Sequence, residues 1–209
     1  MLELLKESDF WLSLITALTA IIALFQSHRQ IKISNKQALF ERRVEKYILI
    51  EELLLLFEHN RSKLDYNETF YDNIKTIFVS LTNATLLKRM RIDFFNPLEN
   101  NDSDDFFEVS EKLNSLSVEV SLIWKGKSIA VISRFISDYK SLLGALHMQN
   151  AYMISEIESP TLSEDTLLNK AKQMAEHIHL RDKVENAKKS YDEIISKKAF
   201  LKLKNQIKL

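Results

Sequence analysis

Glycine and proline are scarce in this chain, and that scarcity limits its possible folds more than any other feature. Two glycines and two prolines among 209 residues are about 2 per cent, where average usage of the two together is roughly 12 per cent. Tight turns in sheet proteins depend on glycine, and so do loops whose backbone approaches a phosphate. A doubly wound fold, a β-sandwich and a glycine-rich phosphate loop are therefore disfavoured, and an all-α fold is expected.

The charge balance and the lack of cysteine remove further classes of protein. The chain has 29 cationic and 29 anionic side chains, so its formal net charge of 0 gives no strong nucleic-acid signal. It has no cysteine, which excludes disulfides, thiolate metal sites and cysteine nucleophiles. A chain of this kind suits a reducing compartment.

Residues 10–28 form an uncharged segment of nineteen residues, called the membrane segment below. As a helix it spans about 28 Å, close to the ~30 Å hydrocarbon core of a bilayer. Its nine Leu, Ile and Phe residues contribute roughly −3 to −5 kcal/mol to insertion, which outweighs its few polar residues. We therefore predict a transmembrane helix; a cleaved signal peptide and a buried core helix are the alternatives. The predicted anchor side chains are Phe10, Trp11, Leu14, Leu18, Ile22 and Phe25.

Basic residues flank the membrane segment unequally. One lysine precedes it, and six Lys or Arg residues follow it between positions 29 and 46. Basic residues stay on the cytoplasmic side of a membrane, so we predict that the N-terminus is outside and that the C-terminus is inside, in the cytosol. Arg29, Lys32 and Lys36 are expected to contact the inner leaflet.

The remaining chain is predicted to be a cytosolic bundle of about five helices. The predicted regions are 1–28 as a short outer start and anchor, 29–158 as juxtamembrane helix and bundle, and 159–209 as a long C-terminal helix. The first helix is expected to end near Asn60, and a second, from about Thr69, to end in the basic cluster of residues 88–91. A slip in the apolar repeat beside Gly126 predicts a helix hairpin there, with Ser128 as a cap.

The helix after that hairpin carries an apolar repeat of four heptads, long enough for a coiled-coil seam. Two interpretations stay open, because additional apolar residues widen the stripe. The repeat is either a bundle core or an assembly seam with a second chain, and Asn150 is then either a hydrogen-bonded core residue or a register-setting polar residue. The predicted seam residues are Ile129, Ile132, Ile136, Tyr139, Leu143, Leu146, Asn150 and Met153.

The C-terminal region opens after Ser159 and Pro160 with a capping box at residues 161–164. It ends in residues 197–209, called the basic tail below, where lysines alternate with apolar residues and no acid occurs. We predict contact between this tail and the inner leaflet; a solvated helix end is the alternative. The lysines concerned are Lys197, Lys198, Lys202, Lys204 and Lys208.

Catalytic patterns known from helical enzymes are incomplete here. A di-iron bundle needs two Glu-x-x-His motifs, and only Glu176 with His179 matches. The acidic loop at residues 99–105 lacks the glycine of a calcium-binding loop. The arginine–histidine spacing of HEPN ribonucleases and the paired acidic motifs of MazG pyrophosphatases are not met. We therefore predict no catalytic residue, metal or cofactor.

Residues 37–47, with Phe40, Arg43 and Tyr47 directly after an N-terminal span, resemble a juxtamembrane F-x-x-R-x-x-x-Y helix. That helix is common among uncharacterised bacterial single-span membrane proteins, some of which resemble accessory or effector components of phage-defence systems. The resemblance covers about residues 10–57, a quarter of the chain. It implies a bacterial inner-membrane protein. Our leading hypothesis is a non-enzymatic protein whose helical bundle assembles with another protein or with itself at the inner leaflet. A membrane-tethered helical hydrolase or nuclease with a nonstandard site is the alternative.

Overall fold

The chain is all-α in its computed structural model, which describes residues 2–66, 70–71, 73–95, 104–157 and 164–207 and contains no strand in them. Side chains are described throughout these ranges except at residues 2–9, 92, 93, 95, 104, 157 and 164. The helices are α1 (Leu2–Asn60), a 3₁₀ turn (Arg61–Leu64), α2 (Ile74–Leu81), α3 (Met90–Phe95), α4 (Asp104–Ile123), α5 (Lys127–Ile157), α6 (Glu164–His177), α7 (Leu180–Ser196) and α8 (Ala199–Lys204). Seven α-helices thus follow α1 in the described residues, where the sequence predicts about five.

The chain divides into two compact units within the length of α1. The first unit comprises residues 1–43 with the last two residues of the chain, and the second, called the helical domain below, runs from Val44 to Ile207. In the first unit, the described side chains are exposed except for those of Phe40 and Arg43, which are half-buried. The helical domain contains helices that the sequence assigned to two separate regions, before and after residue 158.

The core of the helical domain forms around the last turns of α1. Ile50, Leu53 and Phe57 are buried there. The Phe57 ring lies edge-on to Phe135 of α5, with 5.4 Å between ring centroids, and 5.2 Å from Tyr191 of α7. Such ring pairs add about 0.5–1.5 kcal/mol each beyond their buried area. The C-terminal part of α1 is therefore an internal element of the domain, packed between α5 and α7.

Helices α4 and α5 form the hairpin predicted at Gly126. Gly126 has a φ of +118°, a backbone conformation that other residues rarely adopt. Two serines link the helices by reciprocal hydrogen bonds. The hydroxyls of Ser117 and Ser133 each donate to the other residue's backbone carbonyl at 2.8 Å. The predicted cap is wrong in its position: α5 begins at Lys127, so Ser128 lies inside the helix.

The predicted second helix is shorter than expected. Helix α2 ends at Leu81, and the basic cluster lies beyond it, in the following turns and in α3. Arg91 reaches back to the end of α2, where its guanidinium donates to the Thr82 carbonyl at 3.1 Å. Arg89 pairs with Glu108 of α4 at 2.8 Å. Two of the three cluster cations therefore hold chain segments together.

Three helices replace the long C-terminal helix expected from sequence. Helices α6, α7 and α8 are separated by two-residue turns in which His179 has a φ of +53° and Lys198 a φ of +50°. A left-handed residue breaks the i→i−4 hydrogen-bond pattern, and glycine usually fills this position. The capping box proposed at residues 161–164 lies outside the described side chains.

Candidate functional site

The six predicted anchor side chains are exposed on α1. Their exposed fractions range from 38% for Leu14 to 73% for Phe25. One helix in the described residues is long and apolar enough to cross a membrane; an 18-residue window of it has a mean hydropathy of 1.8 with none of it buried. A core helix of a water-soluble fold would have these side chains covered by its own chain. Their exposure argues against the core-helix alternative.

Two threonine hydroxyls of the membrane segment are satisfied inside the helix. Thr16 donates to the Leu12 carbonyl and Thr19 to the Ile15 carbonyl, each at 2.8 Å. An unpaired hydroxyl is costly in hydrocarbon because no water is present to bond it. These hydrogen bonds to the helix backbone therefore remove most of the free-energy cost of placing the two hydroxyls in hydrocarbon.

The three cations after the membrane segment point into solvent. Arg29, Lys32 and Lys36 are exposed, and none of them takes part in an ion pair among the described residues. Uncompensated cations next to an apolar span are attracted to anionic headgroups by about 1 kcal/mol each. Their predicted contact with the inner leaflet remains a prediction.

The predicted seam residues are covered by the chain itself. Seven of the eight are buried, and Met153 is half-buried. Tyr139 donates its hydroxyl to the Leu81 carbonyl, and burial raises its pKa well above its usual range. Asn150 donates to the Phe94 carbonyl at 2.5 Å. These contacts correspond to the bundle-core interpretation of the repeat, in which Asn150 is a hydrogen-bonded core residue.

The basic tail is folded onto the helical domain over its described part, to Ile207. Ala199 and Leu203 of α8 are buried, and the Phe200 ring stacks on Tyr47 of α1 with 4.6 Å between centroids. Lys202 donates to the Ser128 hydroxyl at 3.2 Å. The tail's inward apolar side is therefore occupied by the domain. Lys208 lies outside the described residues.

The α4–α5 hairpin brings two further lysines beside this tail. Gln206 accepts a hydrogen bond from the Lys125 backbone N–H at 3.1 Å and donates one to the Lys125 carbonyl at 2.9 Å. The side chains of Lys125 and Lys127 are exposed. Sequence reasoning missed these two residues as part of the basic surface. The only available signal was the lack of any acid from residue 120 to residue 137.

Glu193 of α7 is the acid that borders this basic region along the chain. A hydrogen bond from Lys197 lowers the pKa of its carboxyl, and the charge of Arg134 lowers it further. The Arg134 guanidinium lies 2.9 Å from the Glu193 carboxylate. Since Glu193 already forms ion pairs with Arg134 and Lys197, it does not neutralise the charge of the remaining lysines of the region.

One surface cleft in the helical domain is lined by several titratable side chains. Its volume is about 290 Å³. The lining residues are Tyr66, Tyr71, Ala175, Glu176, His179, Arg181 and Asp182. Burial raises the pKa of Tyr66, but the side chains of His179, Arg181 and Asp182 are 66–74% exposed. An enzyme with a nonstandard site is expected to bury its titratable groups in a concave pocket, and this cleft leaves most of them, including Glu176, exposed.

Metal ligands are not assembled in the part of the chain that the structure describes. No group of three His, Cys, Asp or Glu side chains there is close enough to hold an ion. Glu176 and His179, the one matching pair in the sequence, meet through a backbone hydrogen bond from the His179 N–H to the Glu176 carbonyl at 3.0 Å.

Together these features define a class: an all-α protein with one N-terminal helix long and apolar enough to span a membrane. Comparison with known proteins adds no relative, since the sequence matches no family model, no curated protein and no solved structure.

Proposed function

We propose that this chain is a non-enzymatic single-span protein of the bacterial inner membrane, with its N-terminus outside and its helical domain in the cytosol. The domain acts by binding another protein or a second copy of itself. In the phage-defence role that the resemblance implies, the protein is an accessory component or an effector whose activation clusters the spans. The observation that carries the proposal is the exposure of the apolar membrane segment.

The exposed area of the membrane segment is too large to face water. Monomeric soluble proteins rarely expose continuous apolar patches beyond a few hundred Å². Here nineteen successive residues, nine of them Leu, Ile or Phe, lie on a helix with their described side chains uncovered. A lipid bilayer covers such a helix on all sides, and its length of about 28 Å fits the hydrocarbon core.

An assembly function has to use the outer faces of the helical domain, because the seam residues fill its core. Helix α4 offers such a face, with Phe107, Val118 and Leu122 exposed. At 3.6 residues per turn these three side chains fall within about 60° of each other around the helix. Exposed apolar residues grouped on one face are typical of protein–protein contact surfaces.

Topology is the first test of the proposal, and the lack of cysteine makes it simple. Single-cysteine variants Ser8→Cys and Gln173→Cys are treated in intact cells with a membrane-impermeant maleimide. We expect labelling at position 8 in intact cells and at position 173 only after lysis. The reverse pattern would refute the orientation, and recovery of both variants in the soluble fraction would refute the anchor. An intact mass for the chain separates an anchor from a cleaved signal peptide.

Assembly is tested by mass measurement in detergent, with and without residues 1–28. An oligomer that survives the deletion places the association in the helical domain, and the variant Leu122→Asp then weakens it. An oligomer that disappears places the association in the membrane segment. Monomeric masses for both forms, with no protein co-purifying from the native host, would contradict an assembly function.

A further inference from the structure

Two segments far apart in sequence meet to form a basic surface on the helical domain. Lys125 and Lys127 flank the tip of the α4–α5 hairpin, and Lys198, Lys202 and Lys204 belong to the basic tail. The paired hydrogen bonds between Gln206 and the Lys125 backbone hold the segments together. All five side chains are exposed. This group of five lysines is called the basic pole below.

The basic pole stands out because the chain as a whole is neutral. Residues 120–137 and 194–209 contain no acid, although acids are as frequent as cations in the full sequence. Glu193, which borders the second stretch, is engaged by Arg134 and Lys197. A local concentration of charge on a neutral protein produces a directed field that a uniform distribution does not.

The pole lies at the end of the domain that contains its first residue, Val44. Phe200, in the middle of the tail, stacks on Tyr47, which is three residues after Val44, the first residue of the domain. Lys46, beside Tyr47, forms an ion pair with Glu119 of α4 at 3.2 Å. The first turn of the domain, the hairpin and the tail therefore share one end.

The geometry points to an anionic lipid leaflet as the partner of the basic pole. Its cations are lysines, which bind phosphate groups as point charges, whereas base recognition in nucleic acids favours arginine and stacking aromatic side chains. Leu201 is 53% exposed among the lysines, which suits shallow contact with the acyl boundary of a membrane. This inference rests on the proposed function, because the tether supplies the leaflet at high effective concentration. Residues 29–43 extend about 22 Å as a helix, so docking requires this stretch of α1 to tilt or bend toward the membrane.

The contact is that of a folded surface and not of an inserted amphipathic helix. The tail buries Ala199 and Leu203 in the domain, so among its described residues the exposed lysines and Leu201 can meet the leaflet. Binding is therefore mainly electrostatic, reversible and sensitive to salt, since charges at an aqueous surface are screened over about 8 Å at physiological ionic strength.

The test uses the full chain in nanodiscs of neutral phosphatidylcholine or of phosphatidylcholine with phosphatidylglycerol. An environment-sensitive fluorophore is attached to the single cysteine of Leu201→Cys, or to that of Gln173→Cys on α6 as a control position. Gln173 lies two residues after Ala171, whose carbonyl accepts a hydrogen bond from Gln149 at 2.9 Å. Gln149 is 21 residues along α5 from Ser128, which is about 31 Å of helix. The control position is therefore far from the basic pole. We expect a spectral shift at position 201 only in acidic discs, reversed by high salt, and no shift at position 173.

Matched charge variants then test the pole itself. The triple variant Lys125→Gln, Lys127→Gln, Lys204→Gln removes lysines whose exposed side chains form no hydrogen bond or ion pair among the described residues. The control triple Lys75→Gln, Lys88→Gln, Lys172→Gln removes the same charge elsewhere. Each lysine near an anionic leaflet contributes about fivefold before screening, so the pole triple should lower the ratio of docked to undocked domain by at least roughly tenfold. The control triple should leave it unchanged.

Equal signals in neutral and acidic discs, or equal losses in both triples, would overturn the proposal. A shift at position 201 on adding single-stranded RNA to neutral discs, without one in acidic discs, would also overturn it and assign the pole to nucleic acid. Incorporation into the discs is measured separately by co-elution. A chain that incorporates but does not dock refutes the leaflet contact and keeps the anchor, whereas a chain that never incorporates refutes the proposed function.

Discussion

Leu143→Ala separates the two interpretations of the long apolar repeat on α5. Leu143 is 0% exposed and belongs to the core of the helical domain. If its neighbours are in its own chain, truncation destabilises the monomer and leaves its association unchanged. If the repeat is a seam with a second copy, truncation weakens the oligomer first.

The expected size of the effect follows from complete burial. Leu→Ala at a buried site costs about 2–5 kcal/mol, made up of lost transfer free energy and of the cavity that remains. For a domain of 164 residues, each kcal/mol shifts the melting temperature by about 2–4 °C, so Tm should fall by about 4–20 °C. Met148→Ala, on the same helix, is the matched control, because Met148 is 56% exposed and its truncation should change stability by less than about 0.5 kcal/mol.

The assay follows the fluorescence of Trp124, which is 2% exposed at the end of α4 and reports the packing of the hairpin. The only other tryptophan, Trp11, is replaced by Phe so that the membrane segment is silent. Thermal unfolding in detergent is combined with mass measurement of each variant. An unchanged Tm together with a lower oligomer mass for Leu143→Ala would refute the assignment of this residue to the core.

Three further predictions concern the membrane segment, the hairpin and acid stability. Ile22→Arg should move the protein from the membrane to the soluble fraction, because arginine at the centre of a span costs about 2.5–3.5 kcal/mol, while Ile33→Arg beyond the segment should not. Gly126→Ala should lower stability by about 1–3 kcal/mol through backbone strain alone, since an added Cβ meets no atom within 4 Å. Gly144→Ala, inside α5 with equal space, should raise stability by up to about 1 kcal/mol, and urea unfolding compares the two. A hydrogen bond from Lys197 lowers the pKa of Glu193, so the ionised carboxylate stabilises the fold at neutral pH. This stabilisation is lost as the pH falls below the ordinary pKa of a glutamate, and Tm measured from pH 7 to pH 3 should therefore decline. A Tm that rises on acidification would contradict this.

Sequence periodicity located the long helices well. The predicted end of the first helix near Asn60 and the hairpin at Gly126 are confirmed. Long apolar repeats identify helix faces, and the one glycine between two repeats marks the turn. These elements are determined by local pattern, which a sequence displays directly.

Sequence patterns did not locate the breaks in the C-terminal region. The turns at His179 and Lys198 place non-glycine residues in left-handed conformations, so no glycine or proline marks them. Tertiary packing determines these breaks, because Leu180 at the start of α7 and Ala199 at the start of α8 are both buried. The price of a left-handed residue, about 1–2 kcal/mol, is offset by the packing it permits.

The basic pole shows the same limit of sequence analysis. The tail lysines were identified from their own stretch, but Lys125 and Gln206 are 81 positions apart in sequence. Periodicity contains no information about contacts at such a separation. The sequence does show that both stretches lack acids. Only the fold shows that the two stretches form one surface.

The two units of the chain differ in whether their apolar side chains are buried. In the helical domain, most described leucine, isoleucine and phenylalanine side chains are buried by neighbouring helices. In the membrane segment the same residue types occur on all sides of the helix and are exposed. A single helix that is apolar all round cannot bury itself, which supports a surrounding apolar phase as its partner. This asymmetry is therefore the main support for the proposed membrane anchor, and under that proposal anionic headgroups would compensate the cations after the segment and at the basic pole.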